Sequence, residues 1–164
     1  MCLYTSWKVP ITAVDDIVCY KMCLKTGRNS YVAPYMQNYK YILGQLQTEP
    51  DFPNESESVL SHGTKKFNKV NLGFHSFRNK YDAIRFIWGF KDRVVLKCII
   101  PKGSKYYIGD YYKTDDVYCS NNIIIGVDEK PVNPTLLEKI GFAFVDMYQT
   151  FIKFFFHEHY EDNA

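Results

Sequence analysis

The chain has few of the residues that build disulfide frameworks or metal sites. Its five cysteines are an odd number, and no two of them form a Cys-x-x-Cys pair. The close histidines His157 and His159 lie two positions apart in a predicted helix, so they do not share a face. This pattern argues against a disulfide scaffold and against a zinc site. We expect buried free thiols in a reducing cytosol and no metal.

Long apolar runs and a strong net charge are also absent. No stretch approaches the roughly 18 apolar residues of a membrane span, and Met1–Lys8 lacks the basic and apolar regions of a signal peptide. The formal charge is only +2, from 20 basic and 18 acidic residues spread along the chain. Such a balance does not indicate a nucleic-acid partner. We expect a soluble, cytoplasmic protein that contacts no membrane.

Aromatic residues, in contrast, are abundant. The 164 residues include 14 Tyr and 12 Phe, and hydrophobic residues make up 46% of the chain. This composition is typical of a globular protein, and the length suits a single domain with its own core. We therefore expect one domain over residues 1–164, with much of the aromatic content inside it.

The middle of the chain predicts a strand followed by a short helix. Leu72–Phe77 has the residue types of a strand, and Asn79 with Asp82 three positions later resembles a capping box. Apolar residues then recur at helical spacing as far as Trp88, and Gly89 supplies a stop. Cap, periodicity and stop all favour the same helix.

Strands are predicted on both sides of this unit. Asp16–Lys25 is rich in β-branched and aromatic residues, and alternation places Lys21 on the same face as Cys19 and Cys23. Arg93–Ile100 is nearly continuous in apolar residues, which indicates burial on both faces. Ile123–Ile125 is the last predicted strand.

The flanking segments complete the predicted fold. Residues 1–15 are expected to be an irregular lead-in, and the polar, proline-rich stretch 47–66 a mobile or functional loop. Asn133 as N-cap, with a proline after it, predicts a long helix over 133–160. The predicted fold is α+β, with a mostly antiparallel or mixed central sheet, a short helix after the Leu72–Phe77 strand and a long C-terminal helix.

Tyrosines cluster in one short segment. Four of them lie within eleven positions, at Tyr31, Tyr35, Tyr39 and Tyr41. Their rings could stack on a base or a nicotinamide ring. Alternatively, they simply suit half-buried strand surfaces, where tyrosine is common.

The order of elements resembles the core of the ADP-ribosyltransferase-like fold. The matching segments are Val18–Lys21, Gly73–Phe77 with Asp82 and Ala83, and Ser120–Ile125. In that fold the first segment holds NAD, the second carries an aromatic and Ser/Tyr motif, and the third begins with a glutamate. The resemblance implies NAD or another nucleotide as ligand. The candidate ligand-binding residues are Tyr20, Lys21, His75, Ser76, Tyr107, Ser120 and Asn122.

Two departures from the family pattern argue against catalysis. Tyr20 and Lys21 stand where the family has Arg or His, and Asn122 stands where it has glutamate. A carboxylate stabilises the developing oxocarbenium charge and orients the nucleophile, whereas an amide carries no charge to do so. The resemblance therefore implies a degenerate, ligand-binding member without catalytic residues.

The chain also looks like a group of uncharacterised proteins of gut bacteria and their phages. The segments that carry this likeness are Met1–Tyr4, Cys98–Tyr107 and Tyr118–Ile123. The likeness brings no activity with it. It implies a viral accessory protein that acts in the host cytoplasm.

Three functional hypotheses follow. The first is a non-enzymatic, phage-type accessory protein that binds a nucleotide-like or protein ligand. The second is a structural or interaction protein whose C-terminal aromatic helix contacts a host protein or a second copy of the chain. The third is an active NAD-dependent ADP-ribosyltransferase that uses His75, Ser76 and an acid such as Asp110, Asp115 or Asp116.

Overall fold

The structure is a computed structural model. It describes residues 3–34, 39–60, 66–88, 90, 92–111, 114–128, 131–132 and 134–156. The chain divides into two compact units, Met1–Val132 and Asn133–Ala164. The expectation of a single domain stays a prediction.

The first unit is a large β-sheet with one helix, α1 (Lys80–Ile87). Every strand pairing among the described residues is antiparallel. This confirms the α+β class and the mostly antiparallel sheet. The strands are β1 (Leu3–Thr5), β2 (Ile11–Thr12), β3 (Ile17–Gly27), β4 (Ser30–Val32), β5 (Lys40–Tyr41), β6 (Leu46–Thr48), β7 (Glu57–Leu60), β8 (Lys66–Val70), β9 (Phe74–Phe77), β10 (Arg93–Ile100), β11 (Lys105–Tyr111), β12 (Thr114–Ser120), β13 (Asn122–Ile125) and β14 (Pro131–Val132).

Strands β3 and β10 lie at the centre of the sheet. The main path runs β6-β13-β10-β3-β9-β12-β11-β1-β8-β7, and β3 pairs with β10 from Ile17 opposite Ile100 to Leu24 opposite Arg93. Val95 and Leu96 are neighbours that point to opposite faces, and both are 0% exposed. The predicted burial of this strand on both faces is confirmed at these two positions.

Helix α1 begins at the capping box that the sequence predicts. The Asn79 side chain accepts a hydrogen bond from the Asp82 N–H at 2.8 Å, and its amide donates to the Asp82 carboxylate. The helix lies against β3, β9 and β10, and the rings of Phe77 and Phe86 are 5.3 Å apart. Gly89, the predicted stop, lies outside the described residues.

Two segments that we expected to be irregular contain strands. Within residues 1–15, β1 pairs with both β8 and β11, because Leu3 fills a core position at 0% exposure. Within 47–66, β6 continues the sheet beside β13, and β7 pairs with β8. Short strands with few apolar residues give little local signal, and their pairing partners are distant in sequence. Residues 61–65 of the expected loop lie outside the described part.

The second unit contains helix α2 (Leu136–Phe156). Its N-cap is Thr135 rather than the predicted Asn133, which lies outside the described residues. The Thr135 hydroxyl accepts from the Glu138 N–H at 3.2 Å, and the Glu138 carboxylate accepts from the Thr135 N–H at 2.6 Å. This reciprocal capping box satisfies two N–H groups that the helix itself leaves unpaired. Oligomerisation through this helix stays a prediction.

Neither described helix combines the length and the apolar character that a bilayer crossing requires.

Gly109 is required by close backbone approach, because a Cβ atom there would overlap the carbonyl group of Tyr4 on β1. We predict that Gly109→Ala lowers the free energy of unfolding by roughly 2–3 kcal/mol, since the β1–β11 pairing must shift. Urea unfolding followed by circular dichroism measures this.

Gly141→Ala is the matched control, because no atom lies within 4 Å of the added methyl group there. In a helix this change should be neutral or stabilising by up to about 1 kcal/mol. Equal effects of the two substitutions would contradict the close approach of the β1 backbone to Gly109.

Candidate functional site

Strand β3 has a gap along one edge. On that edge Tyr20 is opposite Phe77 of β9, whereas Leu24 is opposite Val32 of β4. No described strand pairs with residues 21–23 on the same edge. A pocket of about 100 Å³ lies here, and its lining comes from β3, β5, β9 and the segments that follow β4 and β6.

Lys21 projects from β3 into the lining of this pocket. Its side chain is buried, with the residue only 6% exposed, and Nζ donates to the His75 carbonyl at 2.7 Å. The same nitrogen lies 5.5 Å from the centre of the Tyr41 ring. Burial lowers the pKa of Lys21, whereas the neighbouring Tyr41 and Cys23 side chains raise it. The net result is a raised pKa of Lys21. Lys21 is therefore positively charged at neutral pH.

Aromatic rings form much of the pocket wall. Tyr39 lies edge-on to Tyr41, with ring centres 5.5 Å apart, and edge-on to Phe74 at 6.0 Å. Burial raises the pKa of both tyrosines, so their hydroxyl groups remain protonated. Of the predicted tyrosine cluster, Tyr31 is a core residue at 2% exposure, and Tyr35 lies outside the described residues.

Glu49 is a pocket residue that the sequence reasoning missed. It follows β6, and its N–H donates to the Asn121 carbonyl at 2.7 Å, which joins it to the loop between β12 and β13. Glu49 lines the same pocket as Lys21, and its charge adds to burial in raising the pKa of Tyr39. In the sequence it belonged to the proline-rich stretch 47–66, and no local pattern distinguished it from the other acids there.

The structure separates the candidate ligand-binding residues onto two faces of the sheet. Residues opposite each other on paired strands share a face, and neighbours along a strand alternate. One face therefore holds Lys21, Ser76 and Ser120, and the other holds Tyr20, His75 and Tyr107. Asn122 is half-buried at the start of β13. Of these residues, Lys21 and His75 line the pocket.

Comparison with known proteins provides no precedent for this pocket. No protein-family model, curated protein or solved structure matches the chain. The two resemblances noted from the sequence stay predictions. The function is therefore argued from the geometry of the described residues.

His75 and Cys119 form a buried pair on the face away from Lys21. The His75 Nδ1 is 3.9 Å from the Cys119 sulfur, and the thiol donates to the Leu72 carbonyl at 3.3 Å. Burial, with a smaller effect of the Lys21 charge, lowers the pKa of His75 to about 3, and burial raises the pKa of Cys119. Both groups are neutral at pH 7, so this pair lacks the thiolate that a nucleophilic cysteine needs.

The thiols on the Lys21 side also lie in the core. Cys19, Cys23 and Cys98 are each 0% exposed, which confirms the prediction of buried free thiols for these residues. Burial raises the pKa of Cys23 to about 12. For Cys19, the effect of burial is outweighed by the neighbouring Cys98 and Ser76 side chains and by the Lys21 charge, so its pKa is lowered. These groups form a buried polar strip beside Lys21.

The acids considered for catalysis lie away from the pocket lining. Asp116 pairs with Arg78 at 2.9 Å on an exposed surface, and Asp110 is exposed opposite Tyr4. The side chain of Asp115 lies outside the described part. Within the described chain, no group of three or more His, Cys, Asp or Glu residues could hold a metal ion.

The depressed pKa of His75 predicts a pH dependence of stability. Between its unfolded value of 6.5 and about 3, the unfolded chain binds a proton that the folded chain excludes. The contribution of neutral, buried His75 to the free energy of unfolding is therefore fully present above pH 6.5. As the pH is lowered below 6.5, this contribution decreases by up to about 1.4 kcal/mol per pH unit. Urea unfolding of the wild type and of His75→Gln between about pH 5 and 6.5 measures the slope. A slope that survives the substitution would show that another group is responsible.

Proposed function

We propose that the protein is a non-enzymatic binding protein whose ligand is a nucleotide-like small molecule, held in the pocket beside Lys21. The observation that carries this proposal is the placement of the buried Lys21 ammonium in the wall of an aromatic pocket. A buried charge is costly unless it is paired and hydrogen-bonded. Within the protein, Lys21 Nζ donates to the His75 carbonyl at 2.7 Å, and the Tyr41 hydroxyl also interacts with it.

A ligand can add a further partner for this ammonium. An electron-rich group of the ligand would accept an ammonium hydrogen that His75 and Tyr41 do not engage. The rings of Tyr39, Tyr41 and Phe74 would contact a planar ligand group. Together these features suit a molecule that joins a flat ring to polar or anionic groups, as nucleotides do.

The surroundings favour binding over catalysis. Burial lowers the pKa of His75 far below neutral pH, which makes it a weak general base, and burial raises the pKa of Cys119, which keeps it a thiol. On this proposal the chain would be a degenerate relative of the ADP-ribosyltransferase-like fold. It would act as a single domain and a phage accessory protein in the host cytoplasm.

One observation favours the transferase as a second candidate. The Glu49 carboxylate lines the same pocket as Lys21, so an acid is present although Asn122 occupies the position of the family's glutamate. Incubation with NAD and measurement of released nicotinamide distinguishes the two functions. Steady release that Glu49→Gln abolishes would establish the enzyme, and tight binding without release would support the binding protein.

A ligand screen tests the main proposal. Thermal unfolding is followed with NAD, ADP-ribose and cyclic nucleotides, each at several concentrations. A molecule that binds only the folded state raises the unfolding temperature in proportion to the logarithm of its concentration. We expect such a rise with at least one of these nucleotides. The absence of any shift across the panel would overturn the proposal.

Lys21→Met tests the role of the charge. We predict a loss of nucleotide affinity of roughly tenfold to hundredfold, because a hydrogen bond to a charged group is removed. Folding stability should change little, since an apolar side chain of similar size replaces a buried charge whose desolvation is costly. Calorimetric titration and urea unfolding measure the two effects.

Lys25→Met is the matched control, because Lys25 lies on the same strand with an exposed side chain. We expect this variant to bind as the wild type does. Equal losses in the two variants would show that the effect is not specific to the pocket.

A further inference from the structure

The charges in the pocket lining cancel. Lys21 contributes one positive charge and Glu49 one negative charge. Tyr39, Tyr41 and His75 are neutral at pH 7, because burial raises the pKa of both phenols and lowers that of the imidazole. A phosphate group in this pocket would meet attraction and repulsion together. A neutral group with both a hydrogen-bond acceptor and a donor would suit both residues.

The size of the pocket limits which part of a nucleotide can enter. Its volume of about 100 Å³ is below the roughly 300–1,000 Å³ of complete ligand sites. An engineered cavity of about 150 Å³ holds benzene, so this smaller pocket can take at most a single six-membered ring or one phosphate group, and never a complete nucleotide. The aromatic rings of Tyr39, Tyr41 and Phe74 provide contacts that a flat ring can use and a phosphate cannot.

We infer that the ligand enters this pocket ring first. The inserted part is a neutral, six-membered nitrogen heterocycle with a carbonyl group that accepts from Lys21 and an N–H group that donates to Glu49. Sugar and phosphate groups remain outside. This inference rests on the function proposed above, and it makes Glu49 the residue that selects the heterocycle and rejects phosphate.

Space for the remainder of the ligand lies next to the pocket. A wider depression of about 330 Å³ is lined by Asn29, Ile42, Leu43 and Tyr41. Tyr41 lines both spaces, so we expect the sugar and phosphate groups of a ligand with its ring beside Lys21 to lie toward this depression. Its volume falls within the range of sites for small molecules.

The experiment divides the nucleotide into its parts. The wild-type protein is titrated separately with uracil, cytosine and nicotinamide, and with inorganic phosphate and ribose 5-phosphate, while NMR shifts are recorded. We expect the heterocycles to perturb signals of the pocket residues and to compete with any nucleotide found in the thermal screen. The two phosphates should do neither.

We predict that Glu49→Gln shifts the selectivity of the pocket from heterocycles toward phosphate. Removing the negative charge leaves Lys21 uncompensated, so we expect phosphate binding to strengthen by roughly tenfold or more and binding of the heterocycles to weaken. Among the described residues, the hydrogen bond of the Glu49 side chain is a long one from the Asp51 N–H at 3.4 Å, so the fold should persist. Glu55→Gln is the control, because Glu55 is exposed beside Lys8; it should behave as the wild type.

The outcomes separate this inference from the proposed function. Nucleotide binding with competition from phosphates and none from heterocycles would overturn ring-first entry and leave the binding function intact. Heterocycle binding without nucleotide binding would support the selectivity of the pocket for heterocycles. It would overturn the proposal that the ligand is a nucleotide-like molecule. If wild type and Glu49→Gln respond to neither class of probe, both proposals fail.

Discussion

The pocket depends on the pairing along one edge of β3, where two different strands, β9 and β4, pair with separate parts of it. This strand is 11 residues long, and β10 pairs with it from Ile17 to Leu24 along one edge. Along the other edge β9 and β4 pair with separate parts of the strand, and the segment between them has no described strand partner. Lys21 lies in this segment. A continuous neighbouring strand would have left no opening beside its side chain.

Burial then determines the chemistry of the site. The Lys21 ammonium is largely removed from water, and the His75 carbonyl and the Tyr41 side chain interact with it. The same low-dielectric surroundings keep the tyrosines, His75 and Cys119 neutral. A buried charge in the wall of a pocket favours a ligand that supplies it with a further hydrogen-bond acceptor. This is why the geometry supports binding more directly than catalysis.

Local signals in the sequence predicted the elements that local interactions form. The capping box of Asn79 and Asp82 and the apolar run of Arg93–Ile100 were read correctly, because neighbouring residues produce both features. The strands within residues 1–15 and 47–66 were missed, since pairing with distant strands stabilises them. The N-cap of α2 was predicted at Asn133, whereas it is Thr135. Both residue types cap helices, and the spacing of three residues to Glu138 gives Thr135 the reciprocal capping box.

By itself, the sequence determined the α+β class, the burial of the thiols on β3 and β10, and the shared face of Cys19, Lys21 and Cys23, because alternation along a strand is a local property. Only the tertiary structure decided that Glu49 and the aromatic rings meet Lys21. It also placed His75 and Ser76 on opposite faces relative to that lysine. These juxtapositions depend on strand register and on loops that close over long sequence separations, which no short pattern of residues specifies.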